Sequence, residues 1–210
     1  MSSQTQANQK IPKYKIIFLV DQNAGKSGII NRFIYDTFTD EYQASIGLDF
    51  LSKNIRIDNQ DIYLLLYDTA GQEKFRALIP IYTRDADIII FVYNISSKES
   101  FNVVSEILKD LANIKKEEVI FALVGNKPDL DSKREVNLDE AENFAKKNGF
   151  IFAEVCAKTG DGISELFYHK LIEEIRIKFK LVQKKKSEGK DIKFNILKVC
   201  NNRSDKKGCI

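Results

Sequence analysis

The run Asp21-Gln22-Asn23-Ala24-Gly25-Lys26-Ser27 sits between an apolar stretch and a helical pattern, and it carries the residue types that hold a phosphate. In that setting backbone N–H groups and the helix N-terminus face an anion. Lys26 would reach the outer phosphates, and Ser27 would offer a hydroxyl to Mg²⁺. Gln22, Asn23, Ala24, Gly25 and Gly28 complete the set that this loop would lay along a nucleotide. The spacing G-x-x-x-x-G-K-[ST] is met except at its first position, where Val20 stands for glycine.

Further motifs follow in order. Asp68-Thr69-Ala70-Gly71-Gln72-Glu73 comes after the third apolar run. There Asp68 could hold the metal through water, Gly71 lets the backbone approach the last phosphate, and Gln72 could orient a water for attack. Asn126-Lys127-Pro128-Asp129 closes the fifth run, and the Asp129 carboxylate could accept two hydrogens from a guanine edge, which adenine does not supply. Cys156-Ala157-Lys158 closes the sixth, within reach of the base through backbone N–H and an aliphatic stem. Ser45, in the loop before the second strand, is a further candidate for the metal and the last phosphate. Gln72 and Lys26 are the candidate catalytic residues, and Ser27, Ser45 and Asp68 the candidate metal ligands.

These loops need strands to hold them. Tyr14–Val20, Ile88–Tyr93, Val119–Gly125 and Phe150–Val155 read as buried parallel strands, each a short continuous apolar run. Phe50–Ile57 and Ile62–Tyr67 flank the polar turn Asp58-Asn59-Gln60-Asp61 and read as an antiparallel hairpin. Helical patterns lie near Lys26–Tyr35, Glu73–Thr83, Ser100–Asn113, Asn137–Asn148 and Ile163–Phe179. This alternation predicts an α/β fold: a mostly parallel six-stranded sheet with one antiparallel strand, helices on both faces, and ligands at the carboxyl ends of the strands.

Composition narrows the class. Hydrophobic residues make up 43% of the 210 and charged residues 30%, enough for one core and a soluble surface. The opening ten residues are polar, which argues against a secretory signal, and the apolar runs are too short to span a bilayer. Three cysteines, two of them in the last eleven residues, form no disulfide framework and suit a reducing compartment. Between Lys184 and Gly208 nine Lys or Arg face three acids, a local charge of +6 that leaves the rest of the chain at −3. A basic tail on an acidic body suits an anionic membrane surface; no aromatic and basic interleaving suggests nucleic acid. The expected organisation is a flexible segment over 1–12, a nucleotide-binding domain over 13–180 and a basic tail over 181–210 that ends in a cysteine-bearing segment.

The motif set resembles the Ras superfamily, and Ile46-Gly47-Leu48-Asp49-Phe50, Lys74-Phe75-Arg76 and Tyr82 resemble segments specific to Rab proteins. The stretch Asn31 to Lys53 is most similar to the Golgi-associated Rab branch. The resemblance implies a small GTPase fold, GTP and GDP binding with Mg²⁺, and slow hydrolysis of GTP to GDP and phosphate. It implies a role in vesicle and protein transport, with a cytoplasmic location on the cytosolic face of membranes, the Golgi first. Implied partners are an exchange factor, a GTPase-activating protein, Rab escort and dissociation-inhibitor proteins, and effectors that bind the GTP state, the chain itself being a monomer. By the same match Phe38 would stack on guanine, Tyr42 would close over the phosphates, and Ile46, Phe50, Tyr67 and Tyr82 would form the effector surface. Cys209, next to last, would carry a prenyl group, with the basic tail as second membrane signal.

Departures from the pattern bear on turnover more than on binding. Val20 replaces glycine, Gln22 a smaller residue, Ser45 threonine, Cys156 serine and Tyr67 tryptophan. They motivate an alternative, a nucleotide-bound Rab-like scaffold that does not cycle. No arginine occupies a motif position that could serve the reaction in cis, so hydrolysis would need an activating protein. His169 reads as an exposed histidine, and Phe91, Tyr93, Phe121 and Phe152 as core aromatics.

Overall fold

The computed structural model describes residues 11–20, 23–39, 48–57, 60–69, 77–111 and 119–178. Six strands form one sheet: β1 (Lys13–Leu19), β2 (Leu48–Ile57), β3 (Gln60–Thr69), β4 (Ile88–Asn94), β5 (Ile120–Asn126) and β6 (Ile151–Val155). Their order is β2-β3-β1-β4-β5-β6. Every pairing is parallel except β2 with β3. The expected sheet is therefore the observed one.

Alternating side chains of the central strands serve two cores. Ile16, Phe18, Ile88 and Ile90 point to one face, against Ile29, Ile30 and Phe33 of helix α1 (Lys26–Tyr35) and against Leu166, Phe167 and Leu171 of α5, which spans 163–178. Ile17, Leu19, Ile89 and Phe91 point to the other. There they meet Ile79 of α2 (Ile79–Thr83), Phe101 and Val104 of α3 (Lys98–Asp110), and Ala141 and Ala145 of α4 (Leu138–Asn148). Where these strands are buried on both faces, at Ile16–Leu19 of β1 and Ile88–Tyr93 of β4, they carry no polar alternation and read as unbroken apolar runs. Among the described residues no helix is long and apolar enough to cross a membrane.

Several boundaries differ from the sequence reading. The hairpin is tighter than expected, because Ile57 pairs with Gln60 and Arg56 with Asp61, so Gln60 and Asp61 belong to β3. That strand also continues through Asp68 and Thr69, which pair with Asp49 and Leu48; the two residues end the strand instead of following it. Helix α3 begins at Lys98, before the expected Ser100, because the Ser97 side chain caps it by accepting from the Ser100 N–H. Of the expected helix Glu73–Thr83, the described part is helical over Ile79–Thr83, preceded by a 3₁₀ turn at 77–78. Helix α5 widens to π-helical turns over Glu165–Leu171, where Phe167 stacks on Phe33 with ring centroids 3.7 Å apart.

The sheet's polarity decides where chemistry can sit. Strands β1, β3, β4, β5 and β6 run in parallel, so their carboxyl ends share one edge. The described parts of the four motifs lie at the ends of β1, β3, β5 and β6, along that edge.

Candidate functional site

Gly25, with φ 89°, turns the chain from the phosphate loop into α1. A Cβ at this position would lie 2.2 Å from the Asn126 amide nitrogen, so only glycine fits here. Lys26 follows at the first helical position, buried, and its ammonium donates to the Val20 carbonyl across 3.0 Å. Asn23 and Ala24 lie in the turn that leads into the helix.

Val20 is unusual. Its φ is 101°, a region costly for a β-branched residue. Such strain persists only where the surroundings over-determine it. Here the side chain is 5% exposed in the second core, and the carbonyl is held by Lys26. The valine that stands for glycine in the motif keeps this backbone conformation with its side chain buried.

Asn126 joins three motifs. Its amide nitrogen donates to the Ala24 carbonyl at 2.9 Å, and its amide oxygen accepts from the Ala157 N–H at 3.2 Å. At 1% exposure the side chain has no water to fall back on, so each contact fixes the others. Lys127, with φ 68°, reverses the chain into a 3₁₀ turn over Pro128–Lys133, which presents Asp129 at the surface. Burial pulls the Lys127 ammonium below the usual lysine range, opposed by the nearby Asp129 carboxylate. Cys156 is 2% exposed, and its thiol lies 3.4 Å from Asp129 Oδ1, within donating distance. It therefore both fills the core and touches the Asp129 carboxylate. Gly28 brings α1 under Ala157 and Phe38: a Cβ on it would lie 3.3 Å from Ala157 Cβ and 3.5 Å from the Phe38 ring.

Ser27 and Asp68 meet across the loop, the Ser27 hydroxyl donating to Asp68 Oδ2. Thr69 next to it anchors the end of β3 by donating to the Phe18 carbonyl at 2.6 Å. A hydroxyl and a buried carboxylate are hard oxygen donors, the chemistry Mg²⁺ selects. Among the described residues no group of three or more His, Cys, Asp or Glu could hold a metal. A cation here would take the few protein oxygens together with phosphates, as Mg²⁺ ordinarily does.

The structure thus brings together Asn23, Ala24, Gly25, Lys26, Ser27, Gly28, Phe38, Asp68, Asn126, Lys127, Asp129, Cys156, Ala157 and Lys158. Gln22, Tyr42, Ser45, Ile46, Gly71, Gln72 and Cys209 lie outside the described residues. Of the three aromatics, Phe50 and Tyr67 pair across the hairpin with ring centroids 5.1 Å apart, Phe50 being 52% exposed. Tyr82 is half-buried on α2, and the ring pairs among the described residues do not join it to the other two. His169 is exposed, 3.9 Å from Glu165.

A model of the Ras family matches residues 15–177, all six strands included apart from the first two residues of β1. The chain belongs to the Ras family. Ras-family proteins bind guanine nucleotide with Mg²⁺ and hydrolyse GTP, so membership supports a GTP-binding switch. The match covers the loop around Lys26 and the Asn126–Asp129 turn, which the Asn126 side chain ties together. Arg32, which no motif includes, donates to the Ala157 and Lys158 carbonyls of the loop after β6. It lies in the last turn of α1, where a basic residue ordinarily reads as a partner of the helix dipole. Nothing in the local pattern points 125 residues ahead to its partner Ala157.

Proposed function

We propose that this Ras-family chain is a Rab-type switch acting in vesicle traffic, with the Golgi as its membrane. The observation that carries the nucleotide part is the buried Asn126 amide, which ties the phosphate loop at Ala24 to the base loop at Ala157. Asp129 reads guanine, Cys156, Ala157 and Lys158 border the base, and Phe38 covers it. Lys26 and the loop amides from Gln22 to Gly28 hold the phosphates, with Tyr42 and Gly71 closing on them. Ser27, Ser45 and Asp68 would hold Mg²⁺, which when bound neutralises phosphate charge. Gln72 orients the attacking water. The loops over 39–47 and 71–83 are the switch, ordered by the last phosphate and released on hydrolysis.

The Rab assignment rests on the sequence resemblance around Ile46–Phe50, Lys74–Arg76 and Tyr82. The Phe50–Tyr67 pair supports an effector surface, since an exposed aromatic next to moving loops suits a partner's hot spot. A prenyl group on Cys209 and the +6 tail would hold the chain on the cytosolic face of the membrane. Exchange factors, activating proteins, escort and dissociation-inhibitor proteins would then move it through its cycle.

Single-turnover phosphate release from the stoichiometric GTP complex tests the switch. The wild-type chain should release phosphate slowly and faster with a Rab-activating protein, while Gln72→Leu should bind GTP equally and hydrolyse at least tenfold more slowly on its own. No release under either condition would favour the non-cycling scaffold. Equal intrinsic rates would remove Gln72 from the water.

A further inference from the structure

We propose that Arg32 is a positioning residue that locks the base loop to the chain leading into the first switch, and so sets how long nucleotide stays bound. The inference rests on the guanine-nucleotide reading of the site. Its own observation is a fork of hydrogen bonds that no motif contains. Arg32 Nε donates to the Ala157 carbonyl at 3.0 Å and one terminal nitrogen to the Lys158 carbonyl at 2.7 Å. The other terminal nitrogen donates to the Asp36 carbonyl at 2.9 Å and to its carboxylate at 3.2 Å. All three guanidinium nitrogens are engaged, and the side chain is 16% exposed.

Ala157 is the residue that this fork and Asn126 share. Its N–H donates to Asn126 and its carbonyl accepts from Arg32, so the peptides on both sides of it are pinned. The Asp36 end of the fork holds the left-handed cap of α1, where the Asp36 N–H also bonds to the Arg32 carbonyl. Phe38 follows two residues later, close enough to Gly28 that a Cβ there would lie 3.5 Å from its ring and 3.3 Å from the Ala157 Cβ. One planar cation thus spans the base loop and the chain that carries the base-covering aromatic. A lysine cannot copy this, because its single ammonium lacks the fixed fork. Release of a bound base requires the 156–158 loop or Phe38 to move, and either motion pulls against Arg32.

The test uses the full chain loaded with a fluorescent GDP and chased with excess unlabelled GDP in Mg²⁺. Arg32→Ala should speed dissociation about tenfold, the scale of lost hydrogen bonds to a charged group. Arg32→Lys should fall between it and wild type, and association should stay within twofold for both. Amide exchange, followed without nucleotide, should rise at 157–159 in Arg32→Ala while β1 and β4 keep wild-type protection. Dissociation within twofold of wild type would overturn the proposal, as would a uniform rise in exchange across the sheet, which would mark a merely structural role. Should Arg32→Ala fail to fold, Arg32→Lys carries the same two readouts, and wild-type dissociation and exchange in it would overturn the proposal equally. Failure of the wild-type chain to bind the fluorescent GDP would overturn the nucleotide reading instead, while the exchange arm would still judge the hold of Arg32 on the loop.

Discussion

Gly25→Ala should lower GDP affinity at least 100-fold and destabilise the nucleotide-free protein by about 3 kcal/mol or more. Two effects combine. A residue with a side chain is strained at φ 89°, by about 1–2 kcal/mol. Its Cβ would also stand 2.2 Å from the Asn126 amide nitrogen. The end of an asparagine can usually swing aside cheaply, but this one is buried and bonded at both ends. Moving it leaves the Ala24 carbonyl and the Ala157 N–H without their partner, at about 1–3 kcal/mol for each unsatisfied buried group. The phosphate loop and the base loop then lose their common anchor, which is why affinity should fall together with stability. Urea unfolding and GDP titration of the same preparation measure both quantities. A variant with wild-type midpoint and affinity would show that the loop relaxes around the new methyl, and that Asn126 does not organise the site.

The second large effect concerns the base. Asp129→Asn should weaken GDP about 100-fold and strengthen XDP relative to wild type. A carboxylate accepts both hydrogens that guanine presents, whereas an amide accepts one and turns its own N–H toward the other. A site built to hydrogen-bond one group rejects the mismatched partner because its polar atoms are left unpaired. Xanthine carries a carbonyl where guanine carries the amino group, so the amide N–H finds an acceptor there. The substitution should barely affect folding, since Asp129 is exposed and the side-chain hydrogen bond it accepts comes from the weakly donating Cys156 thiol. Competition of GDP and XDP against a fluorescent nucleotide reads the exchange of preference. Unchanged preference would remove Asp129 from the base.

Much of this arrangement is legible in the sequence, for physical reasons that differ by element. The runs that form β4, β5 and the second half of β1 are buried, so their apolar character is continuous and places each strand to within a residue. Helix α1 matches the expected Lys26–Tyr35, and the structure shows it bounded by Gly25 and Asp36, both in the left-handed region. The hairpin is legible but the bounds of its turn are not, because Gln60 and Asp61 are polar residues that a strand edge tolerates as readily as a loop does. The Ser97 cap was readable in principle: a serine three residues before Ser100 is an N-cap signal.

Other features leave no local trace. The π-helical section of α5 accompanies the stacking of Phe167 on Phe33, a contact between segments more than 100 residues apart. The φ of Val20 could be suspected from the missing motif glycine, but only burial and the Lys26 contact explain how a valine stays there. Arg32 is the clearest case, since its role exists only once the fold brings α1 beside the loop after β6. The candidate site was thus visible as chemistry at the strand ends, and invisible where a side chain works by reaching across the fold.

Equilibrium titration of the nucleotide-free full chain in Mg²⁺ with GDP and, separately, with ADP tests the central claim most directly. The arrangement of Lys26, Asn126 and Asp129 predicts one GDP per chain, bound about 10³-fold or more tighter than ADP, because adenine offers Asp129 no matching pair of hydrogens. Equal affinity for the two nucleotides, or no binding of GDP, would contradict it.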